Sequence, residues 1–171
     1  MYDRQKIEDF QIRMEEITEK FEKREAFQLM TAELEKCEDK YLSEFMGPLN
    51  FLKYEPTLDW IERNAKRNEN ITQAWGHLAA SSNFTWERAK KWLDMGRPWS
   101  LIAIDAVKFC TTTGERLNQS PWMRELNPRL MDYPKLDSIA IGLQEYLKKD
   151  NVPKTKNAVG LIIENIFGIE K

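Results

Sequence analysis

Between residues 57 and 112 the chain spells the same supersecondary unit twice: a charged amphipathic helix, a tight turn, then a more apolar helix. A third such pair closes the sequence between residues 135 and 167. A helix with one apolar stripe must bury that stripe on a neighbour. Consecutive helix pairs do so by stacking, each covering the next, until they share one interior. The pattern therefore predicts an all-α protein made of stacked antiparallel helical hairpins, either as a regular stack or as an irregular helical bundle.

The local signals place the units. In the first hairpin, a helix over residues 57–66 carries Leu58, Ile61 and Ala65 on one side. Residues 67–70 turn, and a helix over 71–82 points Ile71, Ala74, Trp75, Leu78 and Ala79 inward. In the second, Thr85 has the side chain of an N-cap. The helix over 86–95 stops at Gly96, where a C′ glycine belongs. Arg97-Pro98 opens the next helix, with proline where its missing N–H costs nothing. That helix reads WSLIAIDAVKFC, apolar on nearly every side, and is expected at the centre of the molecule. Laid over each other, the two hairpins match Leu58 with Trp86, Asp59 with Glu87, Ala65 with Leu93, and Leu78-Ala79 with Ala106-Val107.

Thr113-Gly114, Ser120-Pro121, Asn127-Pro128 and Tyr133-Pro134 interrupt the rhythm. The closing hairpin is expected over 135–149 and 154–167, joined by Asp150-Asn151-Val152-Pro153. VGLIIENIFGI has the composition of a strand, but its length and its place after Pro153 favour a helix.

Residues 3–45 contain neither Gly nor Pro. Ile7, Phe10, Met14, Ile17 and Phe21 recur at steps of three and four, and so do Phe27, Met30, Leu34, Cys37, Tyr41 and Phe45. The two stripes are out of phase. Either one long helix rotates its contact face, or the chain bends near residues 22–25. Gly47-Pro48 stops the helix, and residues 47–56 form a connector. The resulting division is an N-terminal helical arm over 1–46 and a helical-hairpin body over 47–171, together one compact domain.

These units resemble the HEAT and armadillo type of helical-repeat protein. The resemblance is carried by the helix lengths, by Trp92-Leu93 followed by Gly96-Arg97-Pro98, and by the apolar second helices. It covers about residues 57–112 and, less well, 134–168. The units are shorter than the usual HEAT repeat, and residues 113–134 depart from it. The resemblance implies a HEAT-like stack of helical hairpins.

Composition narrows the class. The chain has 171 residues, of which 42% are apolar and 32% charged, a balance that builds a core and still solvates many helix faces. No apolar run approaches the roughly 18 residues a membrane span needs. The start, MYDRQKIEDF, has no apolar signal-peptide segment, so residence in the cytoplasm is the default expectation. Cys37 and Cys110 are expected as two reduced, buried thiols rather than a disulfide. The net charge of −2 conceals a polarity: residues 1–50 hold 8 Lys/Arg against 13 Asp/Glu, and the rest hold 18 against 15. An acidic arm on a mildly basic body can steer a partner.

The residues offer little for catalysis. His77 is the only histidine, so any triad would have to use it, and no nucleophile motif lies near it. One histidine and two distant cysteines make a poor metal set, and no metal or cofactor is expected. Asp105 is the one acid inside a strongly apolar helix. Buried, it would have a raised pKa and be suited to proton transfer. As a boundary residue it would pair with Lys108, the commoner helix design.

Tryptophan stands out. Of the 6 in the chain, all but one fall between residues 60 and 99. Read as a surface, Trp60, Arg63, Trp86, Arg88, Lys91, Trp92 and Arg97 make a candidate binding face, because Trp and Arg dominate interface hot spots. Read as an interior, large aromatics fill the gaps between helices of unequal length, and apolar neighbours favour that reading for Trp75 and Trp99.

The leading expectation is a non-catalytic protein that binds another macromolecule, with a protein partner first. In general character the chain is similar to bacterial immunity proteins, and that likeness implies neutralising a toxin by covering its active site or substrate groove. The acidic arm would complement a basic toxin domain. The second expectation is a nucleic-acid-binding helical-repeat protein, using the Trp/Arg/Lys face, against which the pI of about 5.6 weighs. The third is an enzyme with convergent carboxylates in a helical pocket around Asp105 or Glu145.

Overall fold

The computed structural model of the chain describes residues 3–111 and 133–167. Among them are nine α-helices and no strand. They are α1 (Arg4–Lys20), α2 (Lys23–Lys36), α3 (Leu42–Phe45), α4 (Thr57–Asn64), α5 (Thr72–Ala80), α6 (Trp86–Met95), α7 (Trp99–Thr111), α8 (Tyr133–Leu147) and α9 (Pro153–Phe167). Short 3-10 turns occupy Asp39–Tyr41, Gly47–Phe51 and Ala65–Arg67. The all-α class expected from the sequence is the class observed. The interruptions expected at Thr113-Gly114, Ser120-Pro121 and Asn127-Pro128 lie outside the described residues. Tyr133-Pro134 opens α8 instead of breaking a helix, since proline is tolerated in a first turn.

At the N-terminus the chain bends. Phe21 and Glu22 are both extended (φ −123°, ψ 150° and φ −68°, ψ 161°), which ends α1 and starts α2. The two helices run antiparallel. The Asp3 N–H donates to the Tyr41 hydroxyl at 3.1 Å, Lys6 pairs with Glu38 at 3.3 Å, and Arg13 with Glu33 at 3.7 Å. Their shared face buries Phe10, Met14, Ala26, Met30 and Leu34. Phe10 stacks on Phe45 at 4.0 Å, and Phe45 on Tyr41 at 5.0 Å. Phe21, the last member of the first stripe, is exposed because the helix has already ended.

Arg67 joins this hairpin to the rest. Its guanidinium donates to the carbonyls of Leu34 (3.0 Å) and Cys37 (2.8 Å) and to Asp39 (2.7 Å). The last carbonyls of a helix have no intrahelical donors, and the C-terminal end of the dipole favours a cation. A forked donor satisfies two of them at once.

In the body, α7 is central, as its apolar sequence demanded. It buries Ile102, Ala103, Ile104, Ala106, Val107 and Cys110. The second helices of the three pairs, α5, α7 and α9, pack one on the next, and α6 also packs on α7. α5 and α7 approach closely at Gly76, where a Cβ would lie 2.6 Å from the Asp105 Cβ and 2.9 Å from the Ala106 backbone nitrogen. Only glycine lets these two helix axes come so near. Thr85 caps α6 by accepting from the Arg88 N–H at 3.2 Å, and Gly96 ends it with φ +80°. One contiguous buried cluster runs from Phe10 in α1 to Ile162 in α9. Cys37 and Cys110 form no disulfide, Cys110 being buried and Cys37 half-buried.

Candidate functional site

Glu62, on α4, is the hub of the Trp-rich region. Only 16% of its side chain is exposed, and its carboxylate accepts from Arg88 (2.7 Å), Lys91 (3.0 Å) and the Trp92 indole N–H (2.7 Å), all on α6. Its backbone carbonyl takes the Trp99 indole N–H at 3.0 Å. Arg88 also holds Asp59 at 2.9 Å. Burial alone would raise the Glu62 pKa, but the bonds from Trp92, Arg88 and Lys91 outweigh it and hold the carboxyl below its ordinary range.

This geometry corrects the aromatic face expected from the sequence. Trp60, Trp86 and Trp92 are buried, at 1%, 4% and 0% exposure. Trp60 packs on Trp75 at 5.7 Å between ring centres, and Trp92 on Phe84 at 5.4 Å. The rings sit inward because α4, α5 and α6 are short helices joined by turns, and indoles fill the spaces that aliphatic side chains would leave. Arg88 and Lys91 are joined to Glu62. Arg97 forms a forked pair with Asp150, at 2.7 and 2.9 Å, and Asp150 also takes the Tyr146 hydroxyl at 2.9 Å. Arg63 is exposed on α4. Six of the seven residues thus fall into two ion-paired clusters and a set of core indoles, and Arg63 stands apart from them, so they do not form one surface.

The carboxylates offered for catalysis do not converge. Asp105 lines a small cavity of about 90 Å³ with Thr72, Arg97, Lys154 and Thr155. Burial pushes its carboxyl up, against a hydrogen bond to Thr72 and the charges of Lys108 and Lys154, which pull it down. Glu145 is exposed in a different cavity, beside Trp86, Lys90, Asp94 and Lys149, and pairs with Lys148 at 3.0 Å. His77 bonds the Asn50 side chain at 3.0 Å and stands edge-on to Phe109. Among the described residues no three His, Cys, Asp or Glu side chains are placed to hold a metal ion. Nor, among them, is any helix long and apolar enough to cross a membrane.

A larger concavity than either of these lies elsewhere. A groove of about 700 Å³ runs between α1 and the Gly47–Phe51 turn, lined by Gln11, Glu15, Thr18 and Glu19 on one side and by Glu44, Gly47, Pro48 and Phe51 on the other. The Phe51 ring is 80% exposed. Among the described residues, Glu15, Glu19 and Glu44 have no cationic partner. The groove exists because α1 packs on α3 and on the turn through Phe10 and Met14, leaving the next face of α1 uncovered. Phe51 falls within the connector expected over residues 47–56, where no periodicity singles it out. The acid excess of residues 1–50 was the signal that pointed to this end of the molecule.

No family model, curated protein or solved structure matches this chain.

Proposed function

We propose that this is a non-catalytic, cytoplasmic protein that acts by binding another protein, with the groove between α1 and the Gly47–Phe51 turn as its contact surface. The reading of an immunity protein that neutralises a bacterial toxin is the specific form of this proposal. The supporting observation is Phe51. Phe51 is 80% exposed at the edge of a groove of about 700 Å³, beside acids that have no cationic partner among the described residues, and its ring stays in unfavourable contact with water until a second surface covers it. Three of the four cations of the candidate face, Arg88, Lys91 and Arg97, are engaged with Glu62 and Asp150, which favours a protein partner.

The test is site-specific photo-crosslinking from position 51 in the native cells. One defined protein adduct is expected, absent when the photoreactive residue is moved to an exposed site on α8. Expressed alone in a test host, the captured protein should arrest growth, and co-expression of this chain, but not of its Phe51→Glu variant, should restore it. Adducts to nucleic acid, or none, would sink the binding role. A harmless protein adduct would keep the binding role and remove the toxin.

A further inference from the structure

We infer that the groove receives an amphipathic α-helix of the partner protein, carrying Lys or Arg along one face and one bulky apolar side chain seated against Phe51 and Pro48. This rests on the reading of the groove as a docking surface and names the chemistry of what docks.

Three features of the groove select that occupant. The first is charge. Glu15 and Glu19 lie one helical turn apart on α1, and Glu44 faces them across the groove. All three are exposed. A segment with cations at i and i+4 repeats the Glu15–Glu19 spacing, so both charges are met by one rigid face. The second is backbone chemistry. Both walls are helical, and their amides and carbonyls are largely committed to their own turns. With no strand among the described residues, the groove offers no sheet edge to add a strand to. An occupant must therefore satisfy its own backbone, which a helix does and an extended peptide does not. The lining of α1 from Gln11 to Glu19 spans roughly 12 Å, about two turns of a docked helix.

The third is Gly47. It sits in the wall, with open space where a Cβ would be and with a backbone outside the left-handed region. The fold itself therefore tolerates a side chain there. The missing side chain leaves room for close approach, so the apolar anchor can reach Pro48 and the face of Phe51. A second copy of this chain is a poor occupant through the same surface, because the acidic lining would meet itself.

Binding is measured by fluorescence anisotropy on the full chain with three stapled peptides of about 15 residues, long enough to hold a helix. The first has Lys at i, i+4 and i+8 flanking a single Leu. The second replaces each Lys with Glu. The third keeps the first composition but scatters the cations around the helix. Only the first should bind well, and its affinity should fall several-fold between low and moderate salt. Gly47→Leu, checked for an unchanged circular dichroism spectrum, should weaken it about tenfold or more by filling the groove. Phe51→Ser should do the same by removing the apolar seat. Glu15→Gln with Glu19→Gln should weaken it about threefold to tenfold and flatten the salt dependence.

Equal binding of the scattered peptide, or full affinity with Gly47→Leu, overturns the inference whatever is captured at position 51. If a partner captured there contacts the groove through an acidic or extended segment, this inference fails and the docking role survives. If the basic helix binds at the groove but no protein is captured in cells, the chemistry of the groove is right and the proposed cellular role is wrong.

Discussion

Around Glu62, aromatic and charged groups face one another: the indole of Trp92, the guanidinium of Arg88 and the ammonium of Lys91 share one carboxylate. Around Phe51 the same classes face outward, with an exposed ring and three acids that have no cation within reach among the described residues. The first arrangement is satisfied at Glu62 and Trp92 and serves the fold, while the buried Trp60 indole N–H on the same helix has no acceptor among the described residues. A buried donor that has its acceptor gains nothing by opening to a ligand, and it loses the bond it has. The second arrangement has interactions left to make. Partnering, not residue type, separates a core from a contact surface.

The largest effect should come from emptying the first region. Trp92→Ala should destabilise the protein by about 3–5 kcal/mol in urea unfolding, because it leaves a large cavity against Phe84 and strips Glu62 of its buried donor. A loss below about 1 kcal/mol would mean that Trp92 is not the packed residue described, and the contrast between the two regions would dissolve.

Glu62 sharpens the same point through charge. Glu62→Ala leaves the Trp92 N–H without an acceptor and Arg88 with Asp59 at 2.9 Å and Glu55 at 4.0 Å, at a cost of about 2–3 kcal/mol. The pH dependence has a definite sign. The folded pKa of Glu62 is lowered, so its contribution is complete above the pKa of an unfolded glutamate and is lost as pH falls through the folded value. Stability should therefore decline on acidification more steeply in the parent than in Glu62→Gln. Parallel curves for the two would remove Glu62 as the hub. Asp105 is displaced in the opposite direction, by burial beside the close α5–α7 contact, so it cannot supply that acid-side loss.

Much of the fold was legible because its signals are local. Thr85 and Gly96 bracket α6 as a cap and a stop, and the all-round apolar character of WSLIAIDAVKFC places α7 at the centre. The bend at Phe21–Glu22 was legible only as an out-of-phase stripe, since no Gly or Pro marks it. The candidate site was read less well, for a physical reason. Trp60, Trp86 and Trp92 sit beside cations in the sequence, and sequence cannot show that Glu62, some thirty positions away from Trp92, takes the indole N–H and two of those cations. Long-range pairing decides whether an Arg or a Trp is already satisfied. Phe51 was missed for the converse reason: a single aromatic in a connector has no periodicity to reveal which way it points.

The smallest expected effect on stability is the most discriminating. Phe51 is as aromatic as Trp92 is, yet its ring is 80% exposed where Trp92 is at 0%. Burial, not aromaticity, is what stabilises a folded chain, so removing a ring that is already in water should change little. Phe51→Ser should leave the unfolding free energy from urea titration within about 0.5 kcal/mol of the parent while weakening binding of the basic helical peptide about tenfold or more. The two readouts must separate. If Phe51→Ser costs 1 kcal/mol or more, the ring is packing inside the free protein. Phe51 then belongs with Trp92 among the residues that hold the fold, and the groove loses the one side chain that marked it as a place for something else to bind.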